Sequence, residues 1–215
     1  MAKESPLHLL ILGATGATGR LAVTEALRLG HHVTALARRP ARLGVTHARL
    51  TTVACDVTAD SHGLAVALRG QDAVLSILGR GLGLRSGRLI ERSVAALLPA
   101  MAQYGPSRLV FVSAFGVGDS LAEAPMLLRL AFRTVLAGIY RDKAIGEEAI
   151  RRSALDWTIV RLAHLTDTPA TGLYEVGDRL PLAGVRHISR ADVAAFLVKC
   201  VADAAFSRRT VAVRS

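Results

Sequence analysis

Residues 7 to 20, Leu-His-Leu-Leu-Ile-Leu-Gly-Ala-Thr-Gly-Ala-Thr-Gly-Arg, constrain this chain more than any other stretch. Leu7 to Leu12 is a short, almost wholly apolar run, the pattern of a strand buried on both faces. Gly13, Gly16 and Gly19 follow at once, and Ala22, Val23, Ala26, Leu27 and Leu29 then give a helix its apolar face. Strand, glycine turn and helix together make the context of a dinucleotide-binding fingerprint. Gly13 suits the tight turn off the strand. Gly16 lets backbone N–H groups approach a pyrophosphate with no side chain in the way, and Gly19 lets the helix sit close to the sheet. The turn from Gly13 through Thr15, Gly16, Ala17, Thr18 and Gly19 is therefore the candidate phosphate cradle, with the helix N-terminus offering unpaired donors and a positive dipole end.

The spacing is Gly-x-x-Gly-x-x-Gly, one residue longer at the first gap than the commonest fingerprint. That variant resembles the short-chain dehydrogenase/reductase superfamily, and Gly-Ala-Thr-Gly-x-Thr-Gly resembles its atypical, NmrA-like branch. Strands and helices alternate along the rest of the chain, as in a single doubly wound Rossmann-type domain: a mainly parallel central sheet with helices on both faces. A length of 215 residues fits one such domain over residues 1 to 215.

The second strand, His32 to Ala37, runs into Arg38-Arg39-Pro40-Ala41-Arg42. An acid at this strand end would bind the ribose 2′-hydroxyl of NAD, whereas arginine accommodates the 2′-phosphate of NADP. No acid stands there, so the pattern favours NADP(H). Arg38 at the strand end and Arg42 one helical turn on are the candidate ligands, and Arg39 is expected to point away. A third strand, Leu50 to Cys55, ends in Asp56-Val57. Asp56 either accepts from the adenine amino group or caps the helix expected over Asp60 to Arg69. A fourth strand, Asp72 to Leu78, ends in Gly79-Arg80, and Leu78, Gly79 and Arg80 lie where backbone approaches the nicotinamide ribose.

A long helix is expected over Ser86 to Tyr104 and a fifth strand over Ser107 to Val112, with Ser113 at its tip. That hydroxyl serves either the cleft or a turn. Glu123 to Ser153 reads as a helix that forms a wall of the site or a dimer face, leaving a monomer and a homodimer both open. A sixth strand over Leu155 to Leu162 leads to His164, a site residue or a loop histidine satisfied by backbone. Residues 168 to 188 are loop-rich and expected to carry acceptor specificity. Ser189-x-x-Asp192 resembles a capping box opening a helix over Ala191 to Val201, and Thr210 to Val213 is a last short strand.

Members of the short-chain superfamily usually carry Tyr-x-x-x-Lys. Here Tyr140-Arg-Asp-Lys143 is one residue short, which swings Lys143 by about 100°. Both are therefore read as ordinary helix residues. The chain more closely resembles the NADPH-dependent flavin reductase/biliverdin-IXβ reductase family. The resemblance rests on Gly13 to Gly19, Val33 to Leu43, Gly70 to Val74, Ser113-Ala-Phe115, Ala163 to Leu165, Thr171 to Tyr174 and Ile188 to Asp192. It implies that Ser113 and His164 are the catalytic pair before the nicotinamide. The implied activity is hydride transfer from NADPH to a planar conjugated acceptor of flavin, quinone or bilin type, with FMN or FAD as substrates. A non-catalytic NADP(H) sensor is the competing reading.

A formal net charge of +10 raises a nucleic-acid partner. The basic residues are scattered, however, with no run of five, and only 4% of residues are aromatic, so bases find few stacking platforms. No nucleic-acid partner is expected, and none in a membrane, since no apolar run reaches the roughly 18 residues of a span. Cys55 and Cys200 lack metal-type spacing, the other histidines show no ligand pattern, and no metal is expected. With no secretory leader in view at the N-terminus, the expected compartment is the cytoplasm.

Overall fold

The computed structural model describes residues 5–79, 87–117, 137–178, 180 and 187–215. Strand β1 (His8–Leu12) enters the molecule as the apolar run requires, with its last four residues buried. Leu9 and Ile11 pack on one side of the sheet, Leu10 and Leu12 on the other. Helix α1 (Ala17–Arg28) follows the glycine turn, then β2 (His32–Ala37), β3 (Leu50–Ala54), α2 (Ser61–Leu68) and β4 (Ala73–Ser76). The second half runs α3 (Leu89–Tyr104), β5 (Arg108–Ala114), α4 (Ala137–Arg152), β6 (Asp156–Leu162), β7 (His164–Thr166), β8 (Glu175–Gly177), β9 (His187–Ser189), α5 (Arg190–Ala202) and β10 (Arg209–Arg214).

Eight strands form one sheet in the order β3-β2-β1-β4-β5-β6-β10-β8, parallel except where β8 meets β10. The expected doubly wound architecture is therefore present. The chain winds outward from β1 through β2 to β3, then crosses back to β4. The crevice beyond the carboxyl ends of β1 and β4 is thus a topological switch point, where such sheets bind ligands. One core joins the sheet to α1 and α5 through Ala22, Val23, Phe196 and Leu197. The other joins it to α2, α3 and α4 through Leu64, Val94, Leu97, Met101 and Ile150.

Several boundaries differ from expectation for identifiable reasons. Helix α3 starts at Leu89 rather than Ser86, because Gly87 and Arg88 both take left-handed backbone with φ 53° and break propagation. Its first amides are capped from another helix: Asp142 of α4 accepts from Ile90 and Glu91 at 3.1 and 2.9 Å. Strand β5 runs two residues beyond Val112, because β6 offers partners as far as Leu162. Of the helix expected over 123 to 153, residues 137 to 152 are helical and 123 to 136 lie outside the described residues. The loop-rich stretch contains two short strands, β8 against β10 and β9 against β7. A three-residue strand is too short to show a sequence period, which is why neither these two nor β7 was anticipated.

Candidate cofactor cleft and acceptor end

The glycine turn is built by backbone geometry. Gly13 has φ +80°, and a Cβ on it would come within 2.6 Å of the Ile77 carbonyl of β4. The Gly16 amide donates back to the Gly13 carbonyl at 3.0 Å, and the first intrahelical bond of α1 is Arg20 to Gly16 at 2.9 Å. The amides of Ala17, Thr18 and Gly19 precede that bond, and the N-cap residue Gly16 brings no side-chain cap to them, the arrangement of an anion-binding helix start. A Cβ on Gly19 would collide with the Gly13 carbonyl. Gly19 is thus required by the turn itself as well as by the helix–sheet approach.

A cavity of about 390 Å³ opens at the switch point. Of the expected cofactor residues, Gly13, Thr15, Gly16, Arg38, Arg42, Asp56, Val57, Leu78 and Gly79 line it. Ala17, Thr18 and Gly19, in the first turn of α1, are not among its lining residues, and Arg80 lies outside the described residues. The strand-tip residues Leu36, Ala37, Cys55 and Ile77 complete the walls, as the rule about carboxyl ends would have indicated. Arg92 of α3 also lines the cavity, and nothing local in the sequence marks it.

A second cavity of about 400 Å³ adjoins the first and is lined by Thr15, Arg38, Arg39 and Arg42. Arg39 therefore does not point away, contrary to the expectation from helical spacing. A short 3-10 turn over Pro40–Arg42 follows, and Arg38, Arg39 and Arg42 all line this one hollow. Arg20 of α1 fixes this segment by donating to the Arg42 carbonyl at 2.8 Å.

Asp56 is not the helix cap. That role falls to Asp60, which accepts from the Gly63 amide at 2.7 Å. Asp56 instead accepts from the Thr58 amide and hydroxyl at 2.9 and 2.7 Å. Those two hydrogen bonds, with help from Arg38 and Arg92, hold its carboxyl below the usual range, so it faces the cavity as an acceptor. Cys55 beside it is pushed up to about 11, chiefly by burial, and is an inert thiol.

Ser113 and His164 do not line either cavity; they stand further along the sheet, at the tips of β5 and β6. Ser113 is buried on the last turnout of β5, paired in register with Arg161, and its hydroxyl has no hydrogen-bond partner among the described residues. His164 lies three residues past Arg161, at most about 10 Å of chain. It is exposed as the first residue of β7, edge-on to His187 with ring centroids 5.2 Å apart. Tyr140 and Lys143, read from the spacing as helix residues, lie half-buried on α4. Burial pushes Tyr140 up to about 12 and lowers Lys143, the latter against the favourable charges of Glu147 and Asp142.

Behind the acceptor loops, the Ser189 hydroxyl accepts from the Asp192 amide at 2.9 Å, the expected cap. The Asp192 carboxylate does more. It takes hydrogen bonds from the Thr171 amide at 3.0 Å, the Gly172 amide at 2.8 Å and the Ser189 hydroxyl at 2.7 Å. The loop after β7 is thereby tied to the start of α5.

Residues 13–204 match the model of a family described as NAD(P)H-binding. The chain belongs to this NAD(P)H-binding family. Among curated relatives it is 32% identical to the chloroplastic divinyl chlorophyllide a 8-vinyl-reductases of rice (Oryza sativa subsp. indica) and maize (Zea mays). The match covers 93% of this chain and 52% of each relative, so the chain spans about half their length. Among solved structures it resembles a short-chain dehydrogenase/reductase of Veillonella parvula in complex with NADP, with TM-score 0.80 and 22% identity over 98% of this chain and 95% of that one. It also resembles an anaerobillin reductase of Escherichia coli O157:H7, with TM-score 0.77 and 23% identity over 96% of each chain. These likenesses show the fold. Among the described residues, no helix is long and apolar enough to cross a membrane.

Proposed function

We propose that this NAD(P)H-binding protein is an NADPH-dependent reductase of planar conjugated acceptors of flavin, quinone or bilin type, with residues 1–215 acting as one domain. The observation that carries the cofactor choice is the hollow lined by Thr15, Arg38, Arg39 and Arg42 beside the glycine turn. Three guanidinium groups with no carboxylate at the tip of β2 suit a ribose 2′-phosphate and leave no acceptor for a 2′-hydroxyl. The reading extends along the cleft: the turn's backbone is so tight that a Cβ at Gly13 or Gly19 would strike the Ile77 or Gly13 carbonyl, and the amides of Ala17, Thr18 and Gly19 that follow it suit a diphosphate. The vinyl-reductase relatives and the bilin-reductase neighbour support a conjugated acceptor.

When bound, the cofactor supplies a hydride from C4, so that it is oxidised to NADP⁺ while the acceptor gains two electrons and a proton and takes its second proton from water. The chain's own residues bind and orient. Asp56 accepts from the adenine amino group. Gly79, across which no side chain projects, lets the backbone approach the nicotinamide ribose. The Ser113 hydroxyl, buried and without a partner among the described residues, hydrogen-bonds the nicotinamide amide or the acceptor. His164, exposed as the first residue of β7, orients an anionic acceptor or passes it the proton that otherwise comes from water.

The test is a binding titration with NADPH and NADH, followed by turnover with FMN, FAD, a quinone and a bilin. NADPH preferred over NADH, and turnover reduced by Ser113→Ala or His164→Ala, is the expected result. Preference for NADH refutes the cofactor assignment. Tight NADPH binding with no turnover on any acceptor favours a sensor over an enzyme.

A further inference from the structure

A carboxylate with no exposed surface lies beneath the acceptor end of the cleft, and the fold surrounds it with cations. Oε2 of Glu147 is 2.8 Å from Nη2 of Arg161 and 2.7 Å from Nη2 of Arg151. Its Oε1 accepts from Nε of Arg161 at 3.3 Å. Arg161 is itself only 5% exposed. Arg161 approaches the carboxylate from the buried side, while Arg151 reaches it from the partly exposed side and also lies 4.0 Å from Glu148. A third cation, Lys143, stands one turn away on the same helix.

The direction of these groups follows from the topology. Helix α4 leads into parallel strand β6 and so runs antiparallel to it. Going back from Glu147 therefore climbs toward the strand tips. At 1.5 Å per residue, Lys143 stands about 6 Å and Tyr140 about 10 Å above Glu147. Phe111 and Ile159, two residues before Ser113 and Arg161 on their strands, pack into the core shared with α3 and α4. Strand alternation then puts Ser113 and Arg161 on that same face, side by side in register.

We propose that Glu147 is a positioning residue: it pins Arg161 beside Ser113 and holds the charge of Lys143 at the acceptor end of the cleft, where both cations face the anion left when a conjugated acceptor takes up hydride. The assignment rests on the reductase reading above. Fixed charge aimed at the place where charge develops stabilises a transition state without reorganisation. Among the described residues Glu147 is the larger of two negative charges that favour Lys143; the other, Asp142, is held at the α3 amides and remains in the variant, so the shift on losing Glu147 is partial. From α3, Arg88 and Glu91 pair with each other at 2.5 Å. Arg161 from β6 and Tyr140 on α4 supply no negative charge near neutral pH. Replacing Glu147 by a neutral side chain leaves Lys143 desolvated with its main counter-charge gone, so it must release its proton at lower pH.

The chain's only lysines are Lys3, Lys143 and Lys199. Labelling lysine with ¹³C at Cε therefore gives three signals, and Lys143→Met identifies the relevant one. The expected result for Glu147→Gln is a Lys143 titration midpoint lower than in the wild type by about one unit or more, a tenfold change in proton affinity. The alkaline limb of kcat for acceptor reduction should move by the same amount, while the NADPH Kd stays within about threefold. Lys143→Met leaves the Glu147–Arg161 pair intact, so it keeps the proposal testable if Glu147→Gln does not fold. It should abolish that alkaline limb and lower kcat at least about tenfold. An unchanged midpoint in Glu147→Gln, or an alkaline limb that survives in Lys143→Met, overturns the proposal. Wild-type protein that binds NADPH but reduces no acceptor refutes the reductase reading itself, and the NMR midpoint then decides separately whether Glu147 governs Lys143.

Discussion

Asp192→Asn tests the tie between the acceptor loop and α5. The wild-type carboxylate accepts from the Thr171 amide, the Gly172 amide, the Ser189 hydroxyl and, at 3.3 Å, the Thr171 hydroxyl. Asparagine keeps one acceptor oxygen and turns an NH₂ toward donors it cannot satisfy. Hydrogen bonds to a charged group contribute about 1.5–3 kcal/mol each, so losing the charge and one or two of the bonds should cost about 2–4 kcal/mol at neutral pH. The pH dependence gives the sharper prediction. Burial favours the neutral acid, but the hydrogen bonds from Thr171, Ser189 and Gly172 outweigh it and hold the folded carboxyl below its ordinary value. A lowered folded value means the unfolded chain takes up the proton first. The stabilisation is therefore complete above about pH 3.9 and is lost as pH falls through the folded value. Urea unfolding followed by Trp157, the only tryptophan and a buried one, reads this directly. The gap between wild type and Asp192→Asn should be widest at pH 7 and close below pH 4. Amides of Thr171 and Gly172 should exchange faster in the variant at neutral pH. A gap that stays constant as pH falls from 5 to 2, or one under about 0.5 kcal/mol at pH 7, would refute the reasoning, since surface substitutions without a structural role fall in that range.

Other perturbations separate the parts of the cleft. Gly19→Ala drives a Cβ into the Gly13 carbonyl, backbone against backbone, so NADPH binding by calorimetry should weaken at least about a hundredfold, with a fall in Tm. Arg38→Ala, Arg39→Ala and Arg42→Ala each remove one guanidinium from the second cavity. At about 1.5–3 kcal/mol per charge-assisted contact, NADPH Kd should rise roughly 10- to 150-fold for those that touch the phosphate, with NADH changed less than about twofold. An unchanged NADPH to NADH ratio in all three variants would show that the hollow does not hold the 2′-phosphate. Both thiols, pushed up to about 11 mainly by burial, should resist a thiol reagent at pH 7.5 until the protein is unfolded in urea. Rapid labelling of native Cys55, whose side of the cleft is open, would contradict that.

The legible parts of this molecule are those whose physics is local. The strand at Leu7 to Leu12 announced itself because a two-sided sheet needs apolar residues at every position. The glycine turn did so because only glycine tolerates the backbone at Gly13 and the close approach at Gly19. The cavity residues at strand tips follow from topology once the strands are placed. Arg39 and Arg92 were missed because both depend on where one element lies against another. The first stands just before a 3-10 turn, and the packing of α3 on the sheet places the second. Asp192 was recognised as a cap, but its ties to Thr171 and Gly172 span about 20 residues and leave no trace in spacing.

Arg161 lies between these cases and shows where the limit falls. It interrupts the apolar run Leu155 to Leu162, so a strand buried on both faces had to accommodate a guanidinium. A buried charge without a partner is too costly to persist, so the strand pattern alone demands a counter-charge somewhere in the fold. The sequence could not say which acid answers that demand. Glu147 lies only 14 residues upstream, yet Glu148 is its neighbour and equally acidic. Only the rotation of α4 against β6 decides between them: it buries Glu147 completely and leaves Glu148 half-exposed beside Arg152. The same rotation leaves the Tyr140 and Lys143 positions, one residue off the usual superfamily spacing, half-buried. If α4 is what adapts the site to that shortened spacing, restoring four-residue spacing by inserting one alanine between Tyr140 and Lys143 should not improve catalysis. It would rotate Tyr140 by about 100° relative to the anchored Lys143–Glu147 register, and acceptor turnover should fall.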